Sequence, residues 1–95
     1  MEKQTIISRL TQSKNYLFTK YPVKSLGLFG SYARNEAEAD SDIDIIVEFI
    51  QPVGFEFVDL AIDLENILEQ HVDLVSKRGI KPVLLPFIEK DIIYV

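Results

Sequence analysis

Asp42 and Asp44 stand two residues apart at the head of a β-branched run, "SDIDIIVEF" at residues 41–49. Side chains alternate along a strand, so both carboxylates share one face and Ile43, Ile45 and Val47 share the other. Such a strand must turn its apolar face to a covering layer and leave its acidic face open to polar chemistry. Adjacent carboxylates repel, and burying them unpaired is costly. A divalent cation is one remedy, and oxygen-only ligands suit Mg²⁺, with Mn²⁺ as the alternative.

The rest of the chain supplies the cover. Residues 3–20 read as an amphipathic helix, with Ile6, Ile7, Leu10, Leu17 and Phe18 mostly at helical spacing. Tyr21-Pro22 ends it, because proline disfavours a helical residue before it. "VKSLGLFG" at 23–30 is a strand; Gly30 permits a sharp turn, and Ser31 is placed as the N-cap of a short helix, "YARNEA". "QPVG" is a turn. Residues 55–70 form a second helix with separable apolar and acidic faces, and "HVDLVS" at 71–76 is a third strand. "KRGIKP" is a basic loop. The tail, residues 83–95, is apolar and partly helical, interrupted or restarted at Pro86. The expectation is a single domain over residues 1–95: a small α/β fold, with a short sheet of three to four strands and helices packed on it.

Composition narrows the function. With no cysteine, disulfides and thiolate metal sites are excluded, which fits a reducing cytosol. No stretch approaches the roughly 18 apolar residues of a membrane span, and "MEKQTIISRLTQ" lacks the apolar segment of a signal peptide. A net charge of −5 argues against direct, sequence-independent nucleic-acid binding and suits a basic protein partner or a cation site.

A third carboxylate, Asp73, lies between Val72 and Leu74. If its strand neighbours that of Asp42 and Asp44, only about 4.8 Å separates the two backbones and the three acids form a cluster. Three such carboxylates can hold two metal ions about 3.5–4 Å apart, an arrangement used for in-line displacement at phosphorus. The Gly30-Ser31 turn supplies the anion side: free backbone N–H groups, the positive end of a helix and a hydroxyl that could receive the phosphates of a nucleoside triphosphate. Arg34 could neutralise phosphate charge. Two competing motifs fail. A calcium loop starting at Asp40 would need glycine at 45 and glutamate at 51, where the chain has Ile45 and Gln51. The "GLFG" segment lacks the Gly-Lys-Ser/Thr ending of a P-loop and the dinucleotide fingerprint.

Gly30-Ser31, ten intervening residues and Asp42-Ile43-Asp44 resemble the signature of the nucleotidyltransferase superfamily related to DNA polymerase β. The fuller "GSYAR…DSDIDIIVEF" is similar to the minimal nucleotidyltransferase (MNT, or MntA-like) group, the antitoxin halves of HEPN–MNT toxin–antitoxin pairs. The likeness extends over essentially the whole chain, including the ending "IIYV". It implies a small nucleotidyltransferase fold. It implies that Gly30, Ser31 and Arg34 bind the triphosphate of ATP. Asp42 and Asp44 would ligate two Mg²⁺ ions, and Asp73 would complete the metal site and help activate the attacking hydroxyl. The implied reaction is transfer of AMP from ATP to a tyrosine of a HEPN ribonuclease in the cytoplasm, with toxin and antitoxin as a hetero-oligomer. Asn35 stands where many relatives carry glycine; asparagine tolerates a left-handed conformation better than most residues.

Each feature has a plainer reading. Asp42 and Asp44 could be a solvated strand end, and Asp73 a surface residue. Arg34 could pair with Glu38, four residues on. Lys77, Arg78 and Lys81 read as a solvated loop. His71 reads as structural, and the apolar residues of 55–70 as core or partner interface. Tyr32 and Tyr94 receive no role. Two other functions compete: an antitoxin that works by contact alone, and a transferase acting on a small molecule, which the short chain disfavours because little of it remains to build an acceptor pocket.

Overall fold

Helix α1 spans Lys3–Lys20 in the computed structural model, which describes residues 1–95. Ile6, Leu10 and Leu17 lie on its inner face and are fully buried. Ahead of Pro22 the backbone of Tyr21 turns extended, and strand β1 follows over Val23–Phe29. Then come helix α2 (Gly30–Ala33), strand β2 (Ile43–Phe49), helix α3 (Glu56–Leu68) and strand β3 (Val72–Ser76). The basic segment is a 3-10 turn at Lys77–Gly79. The tail forms helix α4 (Leu85–Glu89), with Pro86 in its first turn where a missing N–H costs nothing, and strand β4 (Ile93–Tyr94).

The four strands make one mixed sheet in the order β3-β2-β1-β4. Strand β1 is antiparallel to β2 and β4; β2 and β3 are parallel and joined through α3. On one face, Leu26 and Leu28 of β1 and Ile43, Ile45 and Val47 of β2 pack with Leu60, Leu64 and Leu68 of α3 and the inner face of α1 in one core cluster. Truncating any of these leucines to alanine costs about 2–5 kcal/mol.

The second face is covered too, which strand alternation alone does not foresee. Ile46, on the same side as Asp44, is only 2% exposed and stands outside that cluster. Its neighbour across the sheet is Gly27. A Cβ on Gly27 would lie 2.6 Å from Ile92 Cγ2 and 3.2 Å from Tyr94 Cδ1. Glycine here leaves room for Ile92 and Tyr94 of the tail, whose strand β4 pairs beside β1 at the sheet's edge.

Two polar clusters hold α1 against α3. Arg9 donates to the Leu68 carbonyl at 3.4 Å and pairs with Glu69 at 3.4 Å, satisfying the end of α3. Asp63 Oδ2 accepts from the Tyr21 hydroxyl at 2.6 Å, Lys20 Nζ at 2.9 Å and the Tyr16 hydroxyl at 3.2 Å. Burial would raise the Asp63 carboxyl, but these donors outweigh it and hold it below the ordinary carboxylate value. Burial first, then the bond to Asp63, pushes the Tyr21 phenol up to about 12. A raised phenol stabilises the fold fully below its ordinary value, and that contribution is lost as pH climbs through the raised one. The melting temperature should therefore fall between pH 10 and 12 more steeply in the native chain than in Tyr21→Phe. Parallel pH profiles for the two proteins would show that folding does not raise the Tyr21 phenol.

The connection from β1 departs from expectation. The short helix occupies Gly30–Ala33 rather than 32–37, and its N-cap is Phe29 with no side-chain bond; Ser31 sits inside the helix and caps nothing. Asn35 stops the helix by adopting φ +58, the left-handed conformation that asparagine tolerates. The Glu36 N–H then closes the turn on the Ser31 carbonyl at 2.8 Å.

Candidate active site

Strand β1 delivers Gly30 beside Asp44, because Phe29 and Asp44 are partners across the β1–β2 ladder. Gly30 has φ +74, which a side chain would strain. A Cβ there would run into Asp44 Oδ2 and lie 2.9 Å from Asp44 Cγ. The carboxylate thus fills the space glycine leaves free. The two halves of the Gly-Ser and Asp-x-Asp pattern meet as neighbours in space.

On the other side, Asp44 and Asp73 are direct partners in the parallel ladder. Asp42 precedes the strand, which starts at Ile43 rather than 41; the Ile43 N–H donates to the His71 carbonyl at 3.0 Å. Burial, then the charges of Asp73 and Asp42, push the Asp44 carboxyl above its ordinary value, with Arg34 opposing. The repulsion among these oxygen-donor side chains is of the kind a hard divalent cation relieves. The side chains share one edge of the sheet, although in this conformation no three of them close around a single point.

Arg34 follows α2 and faces the same edge. Its Nε donates to Glu36 at 3.2 Å and its Nη1 to Asp91 at 3.4 Å. The plainer reading, a pair with Glu38, does not occur: α2 ends at Ala33, so Glu38 is not one helical turn on.

The family model for the nucleotidyltransferase domain matches residues 10–95. The chain belongs to the nucleotidyltransferase family. Protein adenylyltransferase MntA of Thermococcus cleftensis is 39% identical over 93 residues, covering 97% of this chain and 94% of that protein. A solved structure provisionally described as a minimal nucleotidyltransferase superposes with TM-score 0.85 at 32% identity, covering 98% of this chain and 95% of that one. A toxin–antitoxin crystal structure with AMP-PNP superposes with TM-score 0.69 at 26% identity, covering 99% of this chain and 72% of that one.

Several residues in this nucleotidyltransferase gain neighbours that sequence reasoning missed. His71, read as structural, places Nδ1 2.7 Å from Glu65 Oε2 and Nε2 4.0 Å from Asp42 Oδ2. Its position two residues before Asp73 was the available signal, since alternation sets both on one face. Tyr32 is buried, and its hydroxyl accepts from Gln70 Nε2 at 2.6 Å while the same nitrogen donates to the Ser41 carbonyl at 2.9 Å. That chain of bonds braces the loop that carries Asp42. Lys77 lies at the far end of β2, 3.8 Å from both Glu48 and Glu89, away from the acidic edge.

The nucleotidyltransferase has two surface hollows, and neither contains the three carboxylates. One, about 530 Å³, is lined by residues at the start of α1 with Tyr32, Asn35 and Ala37. The other, about 280 Å³, lies at the opposite end of the strands beside Phe49, Phe57 and Arg78. The acidic edge is an open shelf rather than an enclosed pocket.

Proposed function

We propose that this chain transfers AMP from ATP to a tyrosine hydroxyl of a partner protein, a HEPN-family ribonuclease toxin, and so acts as its antitoxin in the cytoplasm. The observation that carries the reading is the meeting of Gly30 with Asp44 and of Asp44 with Asp73 along one sheet edge. The likeness to the adenylyltransferase MntA and to a toxin–antitoxin structure with AMP-PNP supports it. The open shelf favours a macromolecular acceptor over a small molecule, which would need walls. Large apolar side chains also remain in water, including Phe55, Val83 and Phe87, as a surface that meets another protein does.

In the proposed reaction the tyrosine oxygen attacks the α-phosphorus of ATP. A new O–P bond forms, the bond to the bridging oxygen of the β-phosphate breaks, and pyrophosphate leaves. Asp73 takes the phenolic proton. Ser31 and the N–H groups of its turn receive the departing phosphates. Arg34 swaps Glu36 and Asp91 for phosphate oxygens. Asp42, Asp44 and Asp73 would hold two Mg²⁺ ions, or Mn²⁺, which supply charge stabilisation on the attacking and leaving oxygens when bound.

Intact-mass analysis of the toxin after incubation with this chain, ATP and Mg²⁺ tests the reading. The toxin should gain mass in whole AMP units, and tyrosine-to-phenylalanine substitution at the acceptor should abolish the gain. A toxin that is silenced with unchanged mass would establish inhibition by contact instead.

A further inference from the structure

We propose that Gln70 is the positioning residue for Asp42: its amide ties to the core the one acid of the shelf that strand pairing does not hold. The inference rests on the nucleotidyl-transfer reading above and adds a residue to that site.

Asp44 and Asp73 lie within the parallel ladder as each other's partners. Asp42 lies outside it, one residue before β2 begins, with its side chain 54% exposed. The nearest side-chain nitrogen, His71 Nε2, is 4.0 Å from its carboxylate, too far for a hydrogen bond. The placement of Asp42 therefore comes from the two peptide groups that flank it. On one side, the Ile43 N–H donates to the His71 carbonyl at 3.0 Å. On the other, the Ser41 carbonyl accepts from Gln70 Nε2 at 2.9 Å. Two consecutive residues of the turn after α3 thus hold the two sides of one acid. Without Gln70 a single tether remains.

The Gln70 amide is itself aimed. A carbonyl only accepts, so the atom that faces Ser41 is the nitrogen, and its second hydrogen goes to the Tyr32 hydroxyl at 2.6 Å. Tyr32 is 4% exposed, packs in the core cluster and directly follows Ser31 in α2. Core packing fixes the phenol, the phenol directs the amide, and the amide holds the backbone that carries Asp42. Gln70 thereby registers the acid against the Gly30-Ser31 turn and keeps the two halves of the site at one separation. Loss of a support one step behind a metal ligand costs about 10–100-fold in affinity; a support that acts through the backbone belongs at the low end, about tenfold.

The test uses the full chain with AMP-PNP as the probe, titrated by calorimetry without metal and at rising Mg²⁺. In the native protein Mg²⁺ should strengthen AMP-PNP binding. Gln70→Met keeps the length of the side chain and removes the donor. It should raise the Mg²⁺ concentration needed for half of that strengthening about tenfold. Metal-free binding of AMP-PNP should stay as in the native chain, because Gly30, Ser31 and Arg34 are untouched. Tyr32→Phe should shift the Mg²⁺ midpoint the same way by less, since the amide keeps Ser41 but loses its guide. Tyr21→Phe, remote from the shelf, controls for lost stability and should not shift it. A second readout needs neither metal nor variant: by nuclear magnetic resonance, the Gln70 side-chain amide hydrogens should exchange with solvent more slowly than those of the exposed Gln4 and Gln51. An unmoved Mg²⁺ midpoint in Gln70→Met, an equal loss of metal-free binding, or a Gln70 amide that exchanges as fast as Gln4 and Gln51 overturns the inference and leaves the transferase reading standing. Native protein that binds no AMP-PNP, or binds it without regard to Mg²⁺, overturns both.

Discussion

Asp44→Asn should reduce transfer of α-labelled AMP to the partner by about a thousandfold while leaving the fold intact. Asp44 is the one acid that touches both neighbours of the site: it fills the space at Gly30 and pairs in the ladder with Asp73. An amide keeps the shape but removes the charge that would hold a cation. Metal stabilisation of developing phosphoryl charge is worth several kcal/mol, and each 1.36 kcal/mol is tenfold in rate, so losing about 4 kcal/mol gives about three orders of magnitude. Burial and two like-charged neighbours disfavour the Asp44 carboxylate, so the metal-free variant should melt no lower than the native chain. Undiminished transfer would remove Asp44 from the reaction. A lowered melting temperature would show that the loss of activity is only loss of structure.

Gly30→Ala should damage the site by a different route. The backbone at φ +74 costs alanine about 1–2 kcal/mol by itself. The new methyl group would also displace the Asp44 carboxylate. Urea denaturation should show a loss of about 1–3 kcal/mol, the cost of strain held at such a position. Transfer should fall by far more than the folded fraction does, because the acid is moved rather than the protein unfolded. Gly54→Ala is the internal control: nothing lies within 4 Å of its added Cβ, and its stability and activity should match the native chain. Equal activity for Gly30→Ala and Gly54→Ala would break the link between the Gly-Ser turn and Asp44.

Much of this arrangement was legible because it depends on local spacing. The limits of α1 follow from apolar periodicity and from Tyr21-Pro22, and they match. The shared face of Asp44 and Asp73 follows from alternation once β2 and β3 are neighbours, and they are. What was illegible depends on long-range pairing. Ser31 looks like an N-cap, yet the antiparallel pairing that holds Phe29 opposite Asp44 starts the helix earlier. The two-residue strand β4 is built of strand-favouring residues but is too short to be read as a strand from spacing; the bare backbone at Gly27, its partner across the ladder, leaves room for Tyr94. The contact of His71 with Glu65 depends on Glu69 adopting φ +55 to end α3, and no residue type at that position announces such a turn.

The shelf is built from three chain segments that meet only through strand pairing: the end of β1, the start of β2 and the start of β3. A slip of one residue along β2 would exchange its faces, carrying Asp44 toward the leucine core and Ile45 to the shelf. On the proposed reading, activity therefore doubles as proofreading of the fold: a molecule able to act is one whose sheet has been counted correctly, residue by residue.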